Sequence, residues 1–138
     1  MTAPQPTDFE LEILQELWAR GPLTVREVHD TLSKRRQLVY TSVLKALQLM
    51  FEKKLVLRDE SQRSHVYEAA VEEDSVKSSI VGDLMDQVFG GSAAGLAMHA
   101  LSTRPASSED IKKIQVLLET LESQQDAEKK SARGRKAK

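Results

Sequence analysis

Thr41, Lys45, Gln48 and Glu52 follow one another at intervals of four, three and four residues, with Ser42 beside the first. On a helix of about 3.6 residues per turn this spacing gathers them on one face. Thr and Ser suit base edges and thymine methyls, while Lys and Gln reach guanine and adenine acceptors or phosphates, so the chemistry on offer is recognition of duplex DNA in the major groove. Taken alone, the spacing describes an ordinary solvated helix face equally well. The flanking residues tilt the reading. Lys34, Arg35 and Arg36 come just before this stretch, Lys53 and Lys54 at its end, Arg63 a little further on, and Tyr40 offers a hydroxyl at its start. Base contacts are therefore expected from Thr41, Ser42, Lys45 and Gln48, and phosphate contacts from Arg35, Arg36, Tyr40, Lys53, Lys54 and Arg63.

The charge is unevenly spread in a chain of 138 residues whose formal net charge is only -1. Residues 34–65 hold eight basic side chains against three acidic ones, and residues 129–138 hold six basic groups and no acid. Between them, residues 71–128 carry four bases and eleven acids. A polyanion is attracted to the first and last of these segments and repelled by the middle one.

Other chemistries lack their residues. Cysteine is absent, which removes disulfides, thiolate metal sites and cysteine nucleophiles. His29, His65 and His99 stand singly, without HxxxH or HExxH spacing, so neither a metal site nor a cofactor is expected. Glu72-Glu73-Asp74 suits a helix N-terminus rather than a catalytic pair, and Gly90-Gly91 falls at a helix end rather than in a phosphate loop. No catalytic residue is expected, and the chain reads as a non-enzyme. Its six aromatic residues are too dispersed to stack single-stranded bases. No apolar run approaches the ~20 residues that span a bilayer, and Met1 to Pro6 lacks the pattern of a signal peptide. A cytoplasmic location without membrane association is expected.

The elements that would position the polar face can be read from periodicity. Thr7 with Glu10, and Thr24 with Glu27, have capping-box spacing. The first opens a helix carrying Phe9, Ile13, Leu14, Leu17 and Trp18 and stopped by Gly21-Pro22; the second opens a short helix carrying Val25, Val28 and Leu32. After the basic loop 34–37, a third helix is predicted from about Tyr40 to about Lys54, burying Val43, Leu44, Leu47, Met50 and Phe51. The period then turns extended, with Leu55–Arg58 and His65–Glu68 flanking a polar, basic tip, and Leu23–Val25 placed to add a third strand. Three short helices and a hairpin in this order spell a winged helix-turn-helix.

Beyond Val71 the pattern is helical again, through Val76, Ile80, Val81, Leu84, Met85 and Val88 to Phe89-Gly90-Gly91. A short helix over about Ala93–Leu101 follows, and then one capped by Ser107 or Ser108 with Ile111, Ile114, Leu118 and Leu121 on a seam that wants a partner. Ile80, Leu84, Val88, Ile111, Ile114, Leu118 and Leu121 are thus expected at a homodimer interface. The expected fold class is mainly α: a winged-helix domain over 7–71, a helical dimerisation region over 72–123, and a basic disordered tail over 124–138. Met1 to Pro6 reads as a loose lead-in.

Taken in order, Leu11-Glu12-Ile13-Leu14 to Trp18, Thr24-Val25-Arg26-Glu27-Val28, Tyr40-Thr41-Ser42-Val43-Leu44, Glu52-Lys53-Lys54-Leu55-Val56, His65-Val66-Tyr67 and Phe89-Gly90-Gly91 resemble the penicillinase-repressor family (BlaI/MecI/CopY). The resemblance runs from about residue 7 to residue 122. It implies a winged helix followed by three dimerisation helices, a homodimer on a palindromic operator in double-stranded DNA, and Thr41, Ser42 and Lys45 at base-reading positions. It also implies a regulatory protease as partner, although the Asn-Phe pair cut in the beta-lactam branch is replaced here by Leu96-Ala97-Met98-His99-Ala100. The cysteine-rich site of the copper-sensing branch has no counterpart.

The function expected is a homodimeric transcriptional repressor that binds its operator through residues 40–54 and is released by loss of dimerisation or by proteolysis. The alternative is the same fold used as a protein–protein interaction module without specific DNA binding. Salt separates the two, because each phosphate neutralised releases counterion and makes duplex affinity fall steeply with ionic strength. A small-molecule sensor is a third class, for which Met85, Met98 and Trp18 are too generic to argue.

Overall fold

The computed structural model describes residues 5–136, so most of the expected lead-in, and the last two residues of the expected tail, lie outside the described residues. The elements are α1 (Asp8–Arg20), β1 (Leu23–Thr24), α2 (Val25–Ser33), α3 (Tyr40–Glu52), β2 (Val56–Asp59), β3 (Val66–Ala69), α4 (Glu73–Val88), α5 (Ala93–Thr103) and α6 (Ser108–Lys136). Helices dominate, and the one sheet is small and antiparallel, in the order β1-β3-β2. Leu23 faces Tyr67 across β1 and β3, and Arg58 faces Tyr67 across β2 and β3.

Both capping boxes form. The Thr7 hydroxyl accepts from the Glu10 amide at 3.2 Å while the Glu10 carboxylate accepts from the Thr7 amide at 2.9 Å, and Thr24 and Glu27 repeat this at 3.2 and 3.0 Å. Each box satisfies donors that a helix start leaves orphaned, which fixes where α1 and α2 begin. Helix α1 stops at Gly21, whose φ of +85° suits a residue without a Cβ. The apolar stripes then meet: Ile13 and Leu14 from α1, Val28 and Leu32 from α2, Val43, Leu47 and Met50 from α3, with Val56 and Tyr67 from the sheet, all essentially out of contact with water. This is the winged helix-turn-helix arrangement.

The buried stripe of α3 departs from the predicted one at two positions. Ala46 is buried, whereas Leu44 is only partly so and Phe51 is exposed. Phe51 lies under the guanidinium of Arg58, 4.1 Å from its carbon to the ring centroid, so a cation rather than the apolar core covers it. Helix α3 also ends sooner than predicted. The Lys54 amide donates to the Phe51 carbonyl at 3.1 Å and the Leu55 amide to the Met50 carbonyl at 2.9 Å, a Schellman closure with Lys54 in the left-handed position at φ +66°.

The chain forms two compact units, one running through Gly91 and the other from Ser92. The sequence-based boundary at 71/72 therefore falls inside the first unit. Helix α4 stays with the winged helix because the Trp18 indole donates to the Val71 carbonyl at 3.0 Å, the Gln5 amide donates to the Ser79 carbonyl at 3.2 Å and also to Asp83, and Val76 is buried. An apolar face alone does not say which body it packs on. In the second unit, Ser92 caps α5 and the Ser107 hydroxyl accepts from the Asp110 amide at 3.1 Å to cap α6.

Helix α6 continues through the segment expected to be a disordered tail. Residues 124–136 are rich in Gln, Ala, Lys and Arg, all good helix formers, with no proline, so local propensity extends the helix although the side chains of 124–134 are exposed.

The Thr24 cap yields a pH-dependent prediction. Backbone and then side-chain hydrogen bonding to Thr24 hold the Glu27 carboxyl below its ordinary value of 4.5. A carboxyl depressed in the folded state contributes stability above its unfolded pKa and loses it as pH falls through the lower folded value. Thr24→Ala should cost about 1 kcal/mol at neutral pH. It should also flatten the decline of stability below about pH 4.5, as read by urea denaturation across the acid range.

Candidate nucleic-acid interface

Helix α3 presents its polar residues as three adjoining strips. Thr41, Lys45, Gln48 and Glu52 form an exposed central ridge. On one side Ser42 and Lys45 border a shallow hollow of about 330 Å³ shared with Thr7, Phe9, Leu49 and Lys53. On the other, Tyr40, Leu44 and Gln48 border a groove of about 410 Å³ whose far wall is Arg58, Arg63, Ser64 and His65 from the hairpin and whose floor includes Arg26 from the start of α2. All four expected base-contact residues are thus exposed on one helix. Gln48 and Tyr40 face the groove with Arg63, while Ser42 lies on the α1 side.

The expected phosphate contacts divide into two groups. Three are held by acids of α1: Arg35 donates to Glu16 at 2.9 Å, Arg36 lies 3.1 Å from Glu12, and Lys53 donates to both oxygens of Glu10 at 2.9 and 3.0 Å. Arg36 also stacks its guanidinium 5.2 Å from the centroid of Phe9. Glu10 is 4% exposed, so Lys53 neutralises a nearly buried carboxylate, whereas Arg35 and Arg36 remain half in solvent. Lys45, Lys54 and Arg63, by contrast, make no ion pair among the described residues. Neither does Arg26, which sequence reasoning passed over. Its signal was available, since it directly follows the Thr24-Val25 cap at an exposed position of the helix preceding α3.

Two further residues missed by the sequence position the site. Nε2 of His29 lies 2.8 Å from the Leu38 carbonyl and 3.1 Å from the Ser33 hydroxyl, while its ring meets Tyr40 edge-on at 5.9 Å. It ties the loop 34–39 to α2, which matters because Val39 gives α3 no side-chain cap. Arg58 stands at the base of the hairpin, over Phe51, paired with Glu60 and opposite Tyr67. Hydrogen bonding to Tyr67 and then to Glu60 raises its guanidinium pKa above the ordinary arginine value, so the group stays charged. Arg58 therefore couples the wing to the end of α3. At the wing tip, Asp59 accepts from the Ser61 amide at 2.9 Å, and Ser61 holds the Asp59 carboxyl below its usual range.

The expected interface residues are uncovered within their own units. Ile80 and Ile114 are partly exposed, and Leu84, Val88, Ile111, Leu118 and Leu121 are 41 to 63% exposed. Val116 and Leu117 on α6 are equally open. Among the described residues no group of three or more His, Cys, Asp or Glu could hold a metal, and no helix is long and apolar enough to cross a membrane.

Residues 6–120 match the model of the penicillinase repressor family. The chain belongs to that family. Transcriptional regulator BlaI of Mycobacterium tuberculosis, found in two strains, is 34% identical over 105 residues, which is 75% of this chain and 76% of that protein. The solved DNA-binding domain of the repressor BlaI superposes with a TM-score of 0.48 at 25% identity, covering 52% of this chain and 88% of that domain. As a member of the penicillinase repressor family, the chain is a transcriptional repressor.

Lys53 and Lys54 are adjacent in sequence and opposite in circumstance. Lys53→Ala should cost about 2–3 kcal/mol by leaving the nearly buried Glu10 side chain without its cation. Lys54→Gly should instead be neutral or stabilise by up to about 1 kcal/mol, by relieving the left-handed strain. Thermal denaturation of the two variants side by side checks both signs.

Proposed function

We propose that this penicillinase repressor family member acts as a homodimer on a palindromic operator, reading bases with the α3 ridge of Thr41, Ser42, Lys45 and Gln48. The observation that carries this is the set of cations without an ion pair among the described residues around that ridge: Arg26 on α2, Lys45 on α3, Lys54 just past its end, and Arg63 on the wing. A helix seated in the major groove needs phosphate contacts on both flanks, and the groove between α3 and the hairpin supplies one of them. Arg35 and Arg36 remain exposed enough to add attraction, while Lys53 is assigned to holding Glu10. Tyr40, half exposed and braced by His29, offers its hydroxyl to a backbone phosphate.

The uncovered seams of Ile80, Leu84 and Val88 and of Ile111, Ile114, Leu118 and Leu121 are assigned to a second copy of the chain. Exposed apolar surface of this extent on a small protein calls for a partner, and a two-fold dimer would set two reading helices about one DNA turn apart, ~34 Å. Repression is relieved by whatever separates the subunits, since each half-site is weak alone. A regulatory protease acting near Leu96–Ala100 is one such route, and Met98 there is 69% exposed.

Selection of genomic fragments followed by footprinting should return an inverted repeat with half-sites one turn apart; protection of a single unrepeated site would count against the dimer. Lys45→Ala should weaken operator binding by about 1–3 kcal/mol and relax one base position, whereas Arg63→Ala should weaken binding evenly across sequences and make the salt slope shallower by about 1. Leu118→Asp should give a monomer in sedimentation and abolish tight operator binding, with the first unit still folded.

A further inference from the structure

We propose that Val39, at the cap position of α3, reads the 5-methyl group of a thymine in the operator. The proposal rests on the DNA-binding reading above and adds to it a residue whose side chain has no polar atom. Thymine is the one base that shows an aliphatic group in the major groove, so it is the one an exposed valine can select.

Val39 is turned out of a chain that is pinned on both sides. Leu38 packs on the core and its carbonyl lies 2.8 Å from Nε2 of His29, while Tyr40 meets the same ring edge-on. Between them Val39 is 65% exposed. Its carbonyl accepts from the Ser42 amide at 3.0 Å, which holds Val39 against the first turn that carries Thr41 and Ser42. The N-terminal end of a reading helix is the part that meets base edges, and Val39 stands there.

The fold gives no reason for valine at this position. A Ser, Thr, Asp or Asn at a helix start caps an orphaned amide, and Thr7, Thr24, Ser92 and Ser107 do so for α1, α2, α5 and α6. Val39 has the extended backbone of a cap, with φ −84° and ψ 138°, but no side-chain acceptor. Threonine has the same branching at Cβ and would supply one. Glu72 at the start of α4 makes no cap hydrogen bond either, but its carboxylate suits the positive end of a helix. Single exposed apolar residues are ordinary on protein surfaces. This one is set apart by the forgone cap and by its neighbours.

Those neighbours name the occupant. Residues 34–37 and 40–42 are all exposed, and each carries a charge or a hydrogen-bonding group. An apolar protein surface laid on Val39 would strip water from these groups without replacing it. Duplex DNA offers phosphates to the cations and a methyl group to the valine.

The test uses the full-length chain and the operator returned by selection, in a series where each thymine in turn becomes deoxyuridine, which removes the methyl group alone. At least one thymine should matter to the parent, whose binding falls about threefold to tenfold when that methyl is gone. Val39→Ser should lose a similar factor on the intact operator and lose nothing further at that thymine. It should also melt no lower than the parent, because it gains a cap. Val39→Ile should keep both the affinity and the methyl dependence. The proposal is overturned if no thymine is methyl-sensitive, or if every methyl effect of the parent persists in Val39→Ser, which would assign the contact to another residue such as Thr41. Failure of the α3 reading would appear separately, as Lys45→Ala and Arg63→Ala proteins that bind operator like the parent.

Discussion

The carboxylate of Glu10 is 4% exposed and held by the Thr7 amide and the Lys53 ammonium, and this contact sets how α3 is presented. One residue closes the capping box that starts α1 and receives the cation at the end of α3, so the two helices are keyed to each other. Only the Glu10 side of this pair is dry, the Lys53 side chain being 31% exposed, so its cost when broken lies in leaving the carboxylate without its cation. Glu12 and Glu16, the next acids along α1, take Arg36 and Arg35 from the loop before α3. The acidic side of α1 thus grips α3 at its end and the chain just ahead of its start. What that grip leaves unpaired is the face proposed to meet DNA.

Strain and coupling sit at the edge of the same face. Lys54 occupies the left-handed position that closes α3, where glycine is the undemanding choice, so the chain accepts local strain next to a free ammonium. Arg58 bridges Phe51 on α3 and Glu60 on the wing, which ties the hairpin to the end of α3. His29 does the same for the loop that leads into α3. These contacts position side chains without being part of the exposed ridge.

The second unit follows a different logic. Helices α5 and α6 have sound caps and good helix formers but fully bury no residue among the described side chains. Association is what covers such surface in a small protein, and a winged helix alone has room for few base contacts, which is the physical basis of the proposed link between recognition and dimerisation.

The local features were legible in the sequence because their causes are local. Capping boxes at Thr7 and Thr24, the glycine stop at Gly21, the extended periods on either side of the wing and the exposed ridge of α3 depend on residues within a few positions of each other. The sequence by itself therefore determined the element order, the winged-helix class and the polar face that α3 exposes. It misread Phe51 as core and treated Lys53, Lys54, Arg35 and Arg63 as equivalent cations. Only the tertiary structure decided those points. Whether a charge is free or spent, and which body an apolar face covers, depends on partners about 20 to more than 70 residues away, such as Glu16 with Arg35, Glu10 with Lys53 or Gln5 with Asp83. Periodicity records which way a side chain faces, but not what it meets there.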